Sequence, residues 1–73
     1  MKHNYTITGD LEPVKNGLVD YIATGILHRD GVEILCYIGF THFENYEITP
    51  TFIFIKDGIT SDGTCYYSET IEI

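Results

Sequence analysis

Positive charge is the scarcest component of this chain. Only 4 Lys plus Arg stand against 11 Asp plus Glu in 73 residues, a formal net charge of -7. With so few bases there is no basic patch to displace counterions from phosphates, so direct binding to nucleic acid is excluded as an expectation. An anionic membrane surface is disfavoured for the same reason. Long apolar runs are missing too. No stretch reaches the roughly 18 residues of a membrane-spanning helix. No apolar segment follows Lys2, so no secretory leader is read and the expected compartment is the cytoplasm, or a host's cytoplasm for a viral protein. Tryptophan is absent, and there are only 2 Pro and 2 Cys.

What is present is apolar and aromatic. Hydrophobic residues make up 44% of the chain, with 6 Tyr and 4 Phe. That share is too high for disorder at this charge. The length suits one small domain, residues 1–73, whose core is marginal unless a partner helps.

Asp-Gly punctuates the sequence at Asp30-Gly31, Asp57-Gly58 and Asp62-Gly63. Asp-Gly between apolar runs signals a hairpin, because a type I′ turn needs positive φ at both central residues. The first pair can be tested internally. If Asp30 and Gly31 form the turn, Leu27 faces Ile34, Gly25 faces Cys36, Ala23 faces Ile38 and Tyr21 faces Phe40. That row is wholly apolar, and a one-residue slip destroys it. The other row pairs His28 with Glu33, Ile26 with Leu35 and Thr24 with Tyr37. His3, Tyr5 and Ile7 alternate with polar residues, as do Cys65, Tyr67, Ile71 and Ile73, with Glu69 as an intruder at an edge or bend. Residues 51–55 are apolar on both sides, which suits a doubly covered strand. Pro50 stands where a strand can begin without losing a ladder donor.

These patterns predict a mostly β protein with strands near residues 3–9, 17–28, 32–43, 51–57 and 64–72. The expected architecture is a small antiparallel sheet or a partly closed five-stranded barrel. The alternative is α+β, in the order β-α-β-β-β, with residues 12–27 helical. Val14, Leu18, Ile22 and Ile26 recur at i+4 in support of that helix. Gly17, Gly25 and the β-branched Val19, Ile22, Thr24 and Ile26 argue against it.

Chemistry has little to draw on. His3, His28 and His42 have no metal-ligand spacing, and residues 57–63 lack the order of a calcium loop. Ser61 and Ser68 lie in no nucleophile motif, and no phosphate-cradling glycine pattern occurs. Asn4-Tyr5-Thr6 matches a glycosylation acceptor only by chance in a chain read as unsecreted. Cys36 and Cys65 are expected to be small buried hydrophobes in a reducing compartment. No catalytic residue, cofactor or metal is assigned, and no enzymatic activity is expected.

The expected function lies in surfaces. Residues 41–73 carry 6 acids and 1 base. There Glu44, Tyr46, Glu47, Asp62, Tyr66, Glu69 and Glu72 form the candidate partner-binding set. Tyrosine offers large rigid area, and carboxylates attract a basic partner. The chain is therefore read as a small acidic protein-binding protein, an inhibitor or adaptor. Its expected partner is a basic, nucleic-acid-handling protein surface, on which carboxylates stand in for phosphates as a nucleic-acid mimic. Phage or mobile-element counter-defence proteins, such as anti-CRISPR or anti-restriction proteins, are the type. The alternative is a self-assembling β protein, a homodimer or larger, that meets its copies through Ile22, Ile26, Leu35 and Tyr37.

Overall fold

The structure is a computed structural model that describes residues 3–44, 47–63 and 65–73, without the side chains of Ile59 and Cys65. Six strands run in chain order: β1 (Asn4–Ile7), β2 (Glu12–Pro13), β3 (Tyr21–Arg29), β4 (Val32–His42), β5 (Ile48–Ile59) and β6 (Cys65–Glu72). They form one antiparallel sheet in the order β1-β3-β4-β5-β6, with β2 pairing the other half of β3. The described residues contain no helix, so the helical alternative for residues 12–27 is overturned. The sheet is not closed, and its two-residue β2 raises the strand count above the expected five.

The β3–β4 hairpin has the register that its apolar row requires. Tyr21 pairs Phe40, Ala23 pairs Ile38, Gly25 pairs Cys36 and Leu27 pairs Ile34. The turn has φ of 53° at Asp30 and 76° at Gly31, as a type I′ turn demands. The row continues into β5, where Ile38 meets Ile53 and Cys36 meets Ile55. Ala23, Leu27, Cys36, Ile38, Phe40, Ile53 and Ile55 form the core, edged by Tyr5, Tyr21, Ile34 and Ile71.

No second layer among the described residues covers this face, yet Ile38 and Ile53 are 0% exposed. Coiling of the sheet explains this. Arg29 of β3 reaches Glu69 of β6 with an N–O distance of 3.1 Å. Three strand spacings separate those strands, about 14 Å of sheet width. Only a sheet curled about its own core brings the two groups together over its concave face.

The convex face is covered from the chain itself. Residues 14–20 fold back as a loop, closed by the Val14 N–H donating to the Asp20 carbonyl at 3.0 Å. Asn16 Oδ1 accepts the N–H groups of Leu18 and Val19 at 2.9 and 3.0 Å. This turn, with Gly17 at φ 81°, delays β3 to Tyr21 rather than residue 17. It also lays Val19 over Gly39, beside Phe54. A Cβ on Gly39 would meet the Phe54 ring at 2.7 Å and a Val19 methyl at 2.8 Å. The bare backbone at Gly39 is what lets both side chains approach.

Irregularities in β5 and β6 correct three further expectations. Pro50 does not start the strand; β5 begins at Ile48, and Pro50 pairs Phe40 beside a bulge. A proline is tolerated there because β6 ends opposite Phe52, leaving the donor side of Pro50 without a ladder. Asp57-Gly58 is not a turn but lies within β5, at a second register shift. Between the pairs Ile55–Glu69 and Lys56–Tyr67, one step on β5 is matched by two on β6. This bulge puts Tyr67 on the convex face and Ile71 on the concave one, so the continuous alternation expected from 65 to 73 is broken.

Burial pushes the Cys36 thiol above its ordinary value of 9.0, against a smaller opposing effect of a hydrogen bond with the Leu27 backbone. A raised value means that the native state keeps its proton where the unfolded chain has lost it. The stabilisation is therefore complete below the unfolded value and drains as pH rises beyond it. Denaturant titrations from about pH 8 to pH 10.5 should show wild type losing more stability above about pH 9 than Cys36→Ala does. Parallel pH profiles for the two proteins would contradict the burial of this thiol. Ile38→Ala should lower unfolding stability by about 2–5 kcal/mol in the same assay.

Candidate functional site

The sequence-predicted acidic and tyrosine set does not converge on one spot. Glu44 and Glu47 are exposed in the β4–β5 connection. Asp62 is exposed in the β5–β6 connection, where its carboxylate accepts the Thr60 hydroxyl. Those two connections lie at opposite ends of the 12-residue β5, roughly 35 Å apart at strand rise. Tyr66 is 48% exposed near the Asp62 end and lies against Gly58. Glu69 is engaged by Arg29 on the concave side. Glu72 pairs Phe52 near the other end. Tyr46 lies outside the described residues.

Instead, the fold gathers an acidic and apolar tip at the β4–β5 end. Asp20 Oδ2 accepts the His42 N–H at 2.8 Å, tying the start of β3 to the end of β4. His42 pairs Ile48. The Phe43 N–H donates to the Glu47 carbonyl at 2.9 Å, closing the connection. Leu18, Phe43 and Ile48 are 47%, 47% and 42% exposed there. Asp20, Glu44 and Glu47 are exposed at the same end of the sheet. Exposed apolar side chains near like-charged carboxylates are a common composition of recognition surfaces. Asp20 and the apolar trio stood outside the candidate set, although the hairpin register, extended past Tyr21–Phe40, already places Asp20 beside Thr41 and His42; the Asp20 N–H also donates to the Phe40 carbonyl at 2.9 Å.

The convex face carries a second feature. Phe52 and Phe54 stack at 6.2 Å between centroids, Phe54 meets Tyr67 at 5.4 Å, and Tyr67 meets Tyr37 edge-on at 6.0 Å. Lys56 Nζ lies 6.0 Å from the Tyr37 ring centroid. The even positions 52, 54 and 56 announced part of this row, but Tyr67 joins only through the β6 bulge. Of the predicted self-association set, Leu35 is 69% exposed, while Ile22, Ile26 and Tyr37 are half-buried.

The histidines are dispersed. His28 Nε2 hydrogen-bonds Thr6 Oγ1 at 2.9 Å, and His42 lies at the acidic tip. Among the described residues no group of three His, Cys, Asp or Glu side chains could hold a metal ion. No helix among them is long and apolar enough to cross a membrane. The surface features are an acidic tip, an aromatic convex face and, between β2 and Tyr37, a cavity of about 240 Å³. Compared with family models, curated proteins and solved structures, the chain matches none.

Proposed function

We propose that this chain is a non-enzymatic protein-binding protein, an inhibitor or adaptor that docks on a basic surface of another protein. The observation that supports it is the β4–β5 end of the sheet, where Leu18, Phe43 and Ile48 and the carboxylates of Asp20, Glu44 and Glu47 are all exposed. Apolar area supplies affinity, while the carboxylates steer encounter and select a Lys/Arg-rich partner. With 11 acids and 4 bases, at least seven carboxylates have no base within the chain to neutralise them. Basic protein grooves commonly hold nucleic acid, so the narrower proposal is competition with phosphates on a nucleic-acid-handling protein. Counter-defence proteins of phages and mobile elements act in this way.

An affinity pull-down from host lysate with mass spectrometry should recover Lys/Arg-rich nucleic-acid-handling proteins. Against such a partner, the double variant Glu44→Lys, Glu47→Lys should bind about tenfold or more weakly, with a flatter salt dependence. Affinity that stays constant between about 50 and 500 mM salt would remove the electrostatic basis of the proposal.

A second function is favoured by Leu35, which is 69% exposed in mid-strand with Ile26 and Tyr37 nearby on the same face. That face could pair two copies of the chain. Light scattering coupled to size exclusion separates the two. A species that stays at 8.3 kDa at all concentrations excludes self-assembly. A dimer that Leu35→Asp dissociates supports it.

A further inference from the structure

We infer that the cavity beside β2 is a receptor for one arginine side chain of a partner protein. This rests on the basic-partner function proposed above and identifies a contact for it away from the acidic tip. The cavity arises from a mismatch in the sheet. Ile7 pairs Gly25 and Glu12 pairs Ile22, so four residues, 8–11, span the length of two, Ala23 and Thr24. The surplus chain bows outward. The N–H groups of Thr8 and Gly9 both donate to the Thr24 carbonyl, at 2.9 and 3.2 Å, pinning one side of the bow. A Cβ on Gly9 would meet the Thr24 hydroxyl, so any other residue there obliges that side chain to turn aside.

Its chemistry is specific in sign and in size. About 240 Å³ falls below the roughly 300 Å³ or more of sites for drug-sized ligands. It suits a single side chain. Ile22 and Tyr37 supply apolar and aromatic walls, against which an alkyl stem and a planar guanidinium can lie. Asp10 and Glu12 supply two carboxylates at the rim, and both residues are exposed. No basic residue lines the cavity among those described. Lys56, the nearby ammonium, lines the adjoining hollow of about 120 Å³, which shares Thr24 and Tyr37 with it. The wall chemistry of the larger space therefore complements a cation with an apolar stem. Arginine fits better than lysine, because its planar fork can engage carboxylates at two points while stacking on Tyr37.

The test is a ¹⁵N NMR titration of the whole chain with N-acetyl-arginine amide. N-acetyl-citrulline amide, isosteric and uncharged, is the control, and N-acetyl-lysine amide is the comparison. Saturable shifts at Gly9, Thr24 and Tyr37 are expected with arginine, weaker ones with lysine and none with citrulline. The Asp10→Asn, Glu12→Gln double variant should lose about fivefold or more in arginine affinity with its unfolding midpoint unchanged. Absent shifts, equal shifts with citrulline, or an unaffected double variant each overturn the receptor. The two proposals fail separately. If the double variant binds a recovered basic partner as wild type does while Glu44→Lys, Glu47→Lys does not, the receptor falls and the basic partner stands. If no basic partner is recovered but arginine titrates as described, the receptor stands alone.

Discussion

A β-sheet has two faces, and the described residues hold no second sheet or helix with which to cover either. The solution centres on the contact of Ile38 with Ile53, both fully buried on the concave face. Side chains of that size, packed in a row from β3 to β5, are best removed from water when the sheet coils around them. Full burial of each is worth about 1.5–3 kcal/mol. Coiling carries the rim residues Tyr5, Tyr21, Ile34 and Ile71 over the row's edges, and it brings Arg29 to Glu69. That ion pair is half exposed, so it reports the curvature more than it sustains it.

The convex face shows the other half of the same constraint. Coiling spreads its side chains apart, so it cannot close over itself. The 14–20 loop covers one end, where Val19 rests on Gly39 and Phe54. The aromatic row of Phe52, Phe54, Tyr67 and Tyr37 covers the middle. What is left is a partly exposed apolar surface around Leu35 and a cavity beside β2. Carboxylates cannot enter either apolar layer without heavy desolvation; most sit at strand ends and connections, and Glu69, within β6, stays half exposed against Arg29. The distribution of docking features over the molecule thus follows from how the sheet meets its shortage of cover.

Much of the scaffold was legible because hairpin register follows from a period of two. The Asp30-Gly31 turn and the Tyr21-to-Leu27 row gave the pairing of β3 with β4 residue by residue, though not where β3 begins. The separation of Ile53 and Ile55 from Phe52 and Phe54 was readable in the same way, but which pair faces the core was settled only by the pairing with β4. Legibility failed where pairing departs from one residue per residue. The bulge near Ser68 reversed the faces of Tyr67 and Ile71, and the surplus at residues 8–11 detached β2 from β1. Neither carries a distinctive residue pattern, since a bulge is chosen by what packs across it.

The amino-acid sequence by itself determined the β character, the register of the central hairpin, the acidic surplus and the lack of a catalytic motif. These depend on local conformational preference, alternation and composition, which need no knowledge of distant neighbours. Only the tertiary structure decided which carboxylates share a surface. Glu44 and Asp62 carry the same charge, yet β5 holds them at opposite ends. Asp20 reaches the β4–β5 end through two bonds to β4, its N–H to the Phe40 carbonyl and its carboxylate to the His42 amide, and Asp10 joins Glu12 only because surplus chain bows away from β3. Which charges meet is set by strand length, bulge position and sheet coiling, and those emerge only when the whole sheet is assembled.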